Sequence, residues 1–443
     1  MPPNFITSRP ASVRSVLYAL RGGFLIRPLV IAFTIGTAGA VLSSFEERFP
    51  EIQVIVPKTL FPSHADPQVA QVILASIATA TMTVVSIVFA ILLMTLTLAS
   101  TQFSPRILVS FVRDQVTQWT LGVFLGTFSY CIAALPAARS LPYPFVPAVT
   151  VLGAMALAPI CVGWLIYFIH HISNAISVNT IIDRIRRDTE LVIDELMPYP
   201  YRSLNMEVRD GASLEKPGVA LLSRESGYIR YADIPRLRSL AKTYGICVQL
   251  ERRVGHFIAE GVPLLGVSRG DRVTGERANE LLSAIEIGPT RTMQQDIEFG
   301  IVQIVDIALR AMSPAVNDPT TAITCVDQLS CVLIRWLGRA PPRSHYYDPP
   351  HVLRAAVPWI DLDGLLDLAF EQIRHYAAAD AAVSLRLMRA LGDVASTVRD
   401  PAIHLRLVER GKRVIEGCAG RLQEDDIIRL QRRFEVLEAQ AQA

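Results

Sequence analysis

No Asp, Glu, Lys or Arg occurs between Asp66 and Arg106, an uncharged run of 39 residues. At about 1.5 Å per residue, a helix of that length outreaches the roughly 30 Å hydrocarbon core of a bilayer. The absence excludes a purely water-soluble chain. Three further stretches are nearly as poor in charge: Phe24 to Phe45 with Arg27 near its start, Gln115 to Ala138, and Phe145 to His171. Each is long enough to cross, unlike apolar runs of about 10 to 14 residues.

Other absences narrow the function. No Asp, Glu, Lys or Arg lies deep in any of the four runs, where coupled carriers usually place one, and no inverted repeat is visible. Coupled secondary transport is therefore disfavoured. The chain has no phosphate loop, no Gly-x-Ser-x-Gly elbow, no HExxH pair and no kinase set. Those gaps leave no reaction to name and imply no cofactor. The net charge of +2 contains no basic tract, which argues against nucleic acid. The six cysteines form no CxxC pair and no spacing suited to a metal, so buried reduced thiols are expected.

What charge there is falls unevenly. Up to His171 there are nine basic and five acidic side chains, against 34 and 36 in the remaining 272 residues. A membrane half is followed by a water-soluble half of ordinary composition. Arg9, Arg14, Arg21 and Arg27 precede or open the first run, Arg106 and Arg113 separate the second from the third, and Arg184, Arg186 and Arg187 follow the fourth. The loop after the first run holds Glu46, Glu47, Glu51 and Asp66 against Arg48 and Lys58. The excess of arginine places both termini in the cytoplasm of a multi-pass protein of the bacterial inner membrane.

The expected architecture is a membrane α-helical bundle of four transmembrane helices with a cytoplasmic α+β region. That region comprises a small β-rich domain followed by an all-helical C-terminal domain. Boundaries are expected at 1–172 for the bundle, 173–198 for a helical stalk, 199–274 for the β-rich domain and 275–443 for the helical domain. Residues 218–222 and 227–231 are expected as strands, and Gly255 to Leu265 as a glycine-punctuated hairpin. Ile234 to Tyr244 is expected as a helix capped by Asp233, with Pro235 in its first turn. After Gly275 the pattern is helical, with elements at Arg277 to Ile287, Met293 to Met312 and Pro319 to Trp336, and a Pro-rich loop from Pro341 to Pro350.

Two sets of residues carry candidate chemistry. In the second run Thr79, Thr83, Ser86, Thr97 and Thr101 share one helix face, interrupted by Leu93 and Met94. The seam is either a pore lining with a hydrophobic constriction, formed when several copies assemble, or a packing stripe whose hydroxyls bond back to their own helix. Gly122 and Gly126 add a GxxxG spacing that permits close helix approach, within one chain or between chains. In the second half Asp296, Glu298, Asp306, Asn317 and Asp318 form the densest acidic group, a candidate for holding a cation or for a structural role. Helix capping accounts for Asp318 with Pro319 but leaves Asp296 and Asp306 unexplained, and Asp306 with Arg310 makes a plausible ion pair. His170 and His171, about 100° apart on a helix, are poorly placed to share a metal and are expected at headgroup level.

Two stretches carry a resemblance. One runs from Thr83-Val84-Val85-Ser86 through Ser100-Thr101-Gln102-Phe103-Ser104-Pro105-Arg106 to Gly122-Val123-Phe124-Leu125-Gly126. The other holds Gln295-Asp296-Ile297-Glu298-Phe299-Gly300 and Ser313-Pro314-Ala315-Val316-Asn317-Asp318-Pro319. With Phe168-Ile169-His170-His171-Ile172, they make the chain resemble the bacterial membrane-protein family catalogued as domain of unknown function 2254. The resemblance implies an inner-membrane protein and brings no catalytic residues. The expected function is a homo-oligomeric, channel-like or uncoupled transport assembly with a cytoplasmic regulatory region. The alternative is a membrane-anchored sensor or scaffold that transports nothing. The expected partners are the lipid bilayer, further copies of the chain and a cytoplasmic protein or small molecule of unknown identity.

Overall fold

A computed structural model describes residues 26–49, 51, 66–102, 115–139, 145–175, 177–201 and 218–442. Arg9, Arg14, Arg21, Lys58, Arg106 and Arg113, which enter the orientation argument, lie outside the described residues. The chain forms two compact units, Met1–Ser177 and Val178–Ala443.

Among the described residues the first unit holds four helices long and apolar enough to cross a membrane: α1 Ile26–Arg48, α2 Pro67–Gln102, α3 Gln115–Ala134 and α4 Ala148–Ala175. The most extensive contact joins α1 to α3. It depends on absent side chains. A Cβ on Gly122 or Gly126 would overlap Ile31 or Ile35 of α1, and one on Gly36 or Gly39 would overlap Ser129 or Tyr130 of α3. The buried face of α1 runs Pro28, Ala32, Gly36, Gly39, Ser43 and Glu46, spaced by three and four residues as one helix stripe requires. Lipid offers little hydrophobic drive between helices, so close backbone approach supplies the attraction. The GxxxG spacing of α3 is thus used inside one chain.

The second unit opens with α5 Val178–Leu196, whose Ile181, Ile182, Ile185, Thr189, Val192 and Ile193 are buried. This face packs on α8 Ile297–Ala311 and α9 Pro319–Leu337, so the helix belongs to the core of its unit and does not stand free as a stalk. Two small sheets follow among the described residues. One takes β1 Val219–Leu222, β5 Pro263–Val267, β3 Val248–Leu250, β8 Val352–Ala356 and β7 His345–Asp348 in that spatial order, with only β3 and β8 parallel. The other is antiparallel, with β2 Gly227–Ala232 between β4 Phe257–Ile258 and β6 Ile285–Gly288. Helix α6, Ile234–Tyr244, is capped by Asp233 as its sequence indicates, the carboxylate accepting from the Arg236 N–H. Leu221, Ile229, Leu237, Val248, Ile258 and Leu265 pack into one core together with Leu281 of α7, Gly275–Leu282.

Three expectations fail locally. Gly255 to Leu265 is no hairpin: β4 joins β2 while β5 joins β1 and β3, so the segment crosses between sheets through Gly261 at φ 78°. Both strands send apolar side chains into the same core, Ile258 from one sheet and Leu264 and Leu265 from the other. The stretch Arg277 to Ile287 splits into helix α7 and strand β6, because Ile285-Glu286-Ile287-Gly288 is short enough to suit either period. The third is the all-helical C-terminal domain. β6, β7 and β8 all lie beyond Gly275, and the last two form an edge hairpin around Pro349 and Pro350. Proline is tolerated at such an edge, where the composition suggested only a loop.

From Leu362 the chain is helical, in α10 Leu362–Leu366, a π turn at Asp367–Glu371, α11 Gln372–Ala377, α12 Ala381–Ala395, α13 Pro401–Cys418 and α14 Glu424–Gln442. Asp361, Asp380 and Asp400 cap α10, α12 and α13 with their side chains. An ion-pair cluster ties α5 to the end of α9: Asp194 meets Arg335 and, at 2.6 Å, Arg339. The hydrogen bond from Arg335 holds the Asp194 carboxyl below its usual value, outweighing partial burial. A depressed folded pKa stabilises above the unfolded value of about 3.9, and that stability is lost as pH falls through the folded value. Asp194→Asn should therefore lower the unfolding temperature by about 2–4 °C at pH 7 and by much less below pH 3. An equal deficit at both pH values, by scanning fluorimetry of the full chain, would contradict this account.

Candidate functional site

The polar seam of α2 points away from its own bundle. Ala70, Leu74, Ala78, Thr81, Val88 and Thr95 form the buried face of the helix. Thr79 and Val88 are nine residues apart, which at 100° per residue is about half a turn. Thr79, Thr83, Ser86 and Thr97 are exposed, as are Leu93 at 54% and Met94 at 74%. The side chain of Thr101 lies outside the described residues. Each described hydroxyl donates to the carbonyl four residues back: Thr79 to Ala75 at 2.8 Å, Thr83 to Thr79 at 2.9 Å, Ser86 to Met82 at 3.1 Å, Thr97 to Leu93 at 2.9 Å. A hydroxyl so used carries no unmet donor into lipid, yet keeps lone pairs for water or for a neighbouring helix. The structure thus brings six of the seven candidate positions onto one outward face.

Inside the bundle several polar groups are matched in pairs, while the buried Gln118 Oε1 has no hydrogen-bond partner among the described residues. Trp164 Nε1 donates to Thr120 Oγ1 at 2.9 Å, Thr127 Oγ1 lies 3.2 Å from Cys161 Sγ, and Tyr130 donates to the Thr150 carbonyl at 3.1 Å. Glu46 was not singled out by the sequence. It is 1% exposed and accepts from the N–H groups of Val149 and Thr150 at 2.9 and 3.1 Å and from Thr150 Oγ1 at 3.0 Å. Its carboxylate closes the N-terminus of α4, where the helix dipole and unpaired N–H groups favour an anion. The signal was available, since Glu46 continues the small-residue stripe of α1. His170 Nε2 lies 3.2 Å from Asn174 Nδ2, and His171 stacks on Tyr167 with ring centroids 6.3 Å apart.

The acidic group of the second unit divides into separate places. Asp296 is 3% exposed and caps α8, accepting from the Phe299 N–H at 3.0 Å. Arg291 grips the same carboxylate with both arms, at 2.7 and 2.8 Å, and lies over the Phe299 ring. Gly255, at φ 91°, lies against this carboxylate, and any Cβ there would overlap it. Glu298 sits beside it, 3.0 Å from Arg253 and 3.9 Å from His256. Burial pushes the Glu298 carboxyl up against the opposing pull of Arg253, and burial with Arg253 pushes the His256 imidazole down.

Asp306 lies ten residues after Asp296 on α8, about 15 Å along the axis. Asn317 takes the left-handed conformation at φ 49°, and Asp318 caps α9 through the N–H and hydroxyl of Thr321. Those hydrogen bonds hold the Asp318 carboxyl below its usual value. Asp296 and Glu298 share a neighbourhood in which each faces an arginine, while Asn317 and Asp318 adjoin at the start of α9. Among the described residues no three His, Cys, Asp or Glu side chains converge as metal ligands.

Comparison with known proteins gives three findings. A family model described as a predicted membrane protein, DUF2254, matches residues 21–393. Uncharacterized proteins of Mycobacterium bovis and Mycobacterium tuberculosis are 33% identical over 396 residues, covering 88% of this chain and 75% of theirs. No solved structure matches.

Proposed function

The chain belongs to the DUF2254 family of predicted membrane proteins, and from that premise we propose that its copies assemble in the bacterial inner membrane around their α2 helices. The outward Ser/Thr seams then face a common axis and form an uncoupled, channel-like conduit. Leu93 and Met94 form an apolar constriction in that path, of the kind that closes by dewetting. Both termini and the second unit lie in the cytoplasm, following the arginine asymmetry. There the mixed α+β unit assembles or regulates the conduit. One observation carries this reading: the seam lies opposite the buried face of its helix, so its hydroxyls meet either lipid or another protein surface.

A second reading is favoured by the hydrogen bonds themselves. Because every described seam hydroxyl bonds to its own helix, the stripe is also compatible with simple packing in an anchored sensor or scaffold. Ion flux separates the two. In liposomes holding equal amounts of folded protein, Leu93→Ser should hydrate the constriction and raise leak several-fold over wild type. Ile166→Ser, exposed to a similar degree but on α4, should leave leak near wild type. Background flux in all three would remove the conduit and leave the anchored sensor.

A further inference from the structure

Where the end of α5, the end of α9, α10 and the start of α13 converge, the second unit forms a half-open cavity of about 210 Å³. We infer that it is a binding site for a small single-ring carboxylate, with the ring inside and the carboxylate at the rim. The site is separate from the α2 seam, and it stands or falls independently of conduction.

Volume fixes the size class. A dry apolar cavity of about 150 Å³ holds benzene, whereas drug-sized ligands occupy roughly 300–1,000 Å³. The present cavity lies between the two, enough for one ring and a short substituent. Its walls suit a ring: Met197, Trp336, Leu337, Leu362 and Ile403 line it. A planar indole beside flexible Met and Leu side chains gives a face for stacking without fixing one ligand outline.

Charge fixes the polar end. Arg339 and Arg406 both line the cavity. Arg339 is held in place by Asp194 at 2.6 Å and by the Pro198 carbonyl at 3.4 Å. Asp194 is shared with Arg335, so two guanidinium groups there have one carboxylate between them. Arg406 pairs with Asp363 at 3.1 Å, but both side chains are more than 40% exposed, so water already weakens that pair. It can turn to a ligand at little cost. The acidic lining residue, Asp400, is committed to the first turn of α13, where it accepts from the Ala402 N–H at 2.9 Å. A planar carboxylate matches the forked donors of arginine better than a point charge or a neutral hydroxyl does.

The test is saturation-transfer NMR on the full-length chain in detergent, with benzoate as the probe and benzyl alcohol as its neutral counterpart. Benzoate should give a saturable signal, and benzyl alcohol should need at least tenfold higher concentration. Ala402→Trp, at an exposed lining position, should fill the cavity and abolish the benzoate signal. Pro341→Trp is a second filling variant, also exposed, in case the first does not fold. Arg406→Gln should weaken benzoate about tenfold and leave benzyl alcohol unchanged. Three results would overturn the assignment: no saturable benzoate signal, an undiminished signal in a folded filling variant, or equal binding of the two probes.

Discussion

Replacing Asp296 by alanine should lower the unfolding temperature of the chain by roughly 6–20 °C, the expected result of losing about 3–5 kcal/mol. The side chain is 3% exposed and serves two roles at once. It caps α8 through the Phe299 N–H, and it is the bidentate partner of Arg291, itself only 18% exposed. Alanine leaves a buried guanidinium without its counter-charge, which is the costly half of breaking a buried pair. Asp296→Asn keeps an acceptor for the cap, so it should recover about 1 kcal/mol of the loss and no more. Scanning fluorimetry on the full chain in detergent checks the order, wild type above Asn above Ala. A shift under about 2 °C for the alanine variant would mean that Arg291 relaxes to water at no cost.

The same residue marks where sequence reasoning ran short. Asp318 was legible as a cap because Pro319 follows it and Ser313-Pro314 ends the helix before. Asp296 precedes Ile297-Glu298-Phe299 with no proline, and its decisive neighbours, Arg291 and Gly255, meet it only through the fold. The four apolar helices were legible throughout, since length and missing charge suffice to mark them. Which helices meet was not. Gly122 and Gly126 announced a close approach, but their partner, the stripe from Ala32 to Glu46 on α1, is identified only by the packed structure. The strands β6 to β8 were lost for a different reason. Four- and five-residue strands hold too few side chains to separate a period of two from one of 3.6, and the prolines beside β7 suggested a loop.

The seam of α2 shows the reverse balance. Its composition and its interruption by Leu93 and Met94 were plain in the chain, while its direction came from the packing of α2 on α3 and α4. That direction is what the proposed assembly depends on. Cysteines placed on it are the most direct test, in a background without the six native ones, of which Cys131 and Cys161 lie buried in the bundle. Thr83→Cys and Ser86→Cys replace exposed seam residues, and Ile169→Cys replaces an exposed residue of α4 at 50%. Copper-phenanthroline oxidation of native membranes should convert most of the Thr83 or Ser86 variant to disulfide-linked dimer, since symmetry brings like positions together near a common axis. The Ile169 variant should stay monomeric. Monomer alone in all three, or equal crosslinking at Ile169, would contradict assembly around α2.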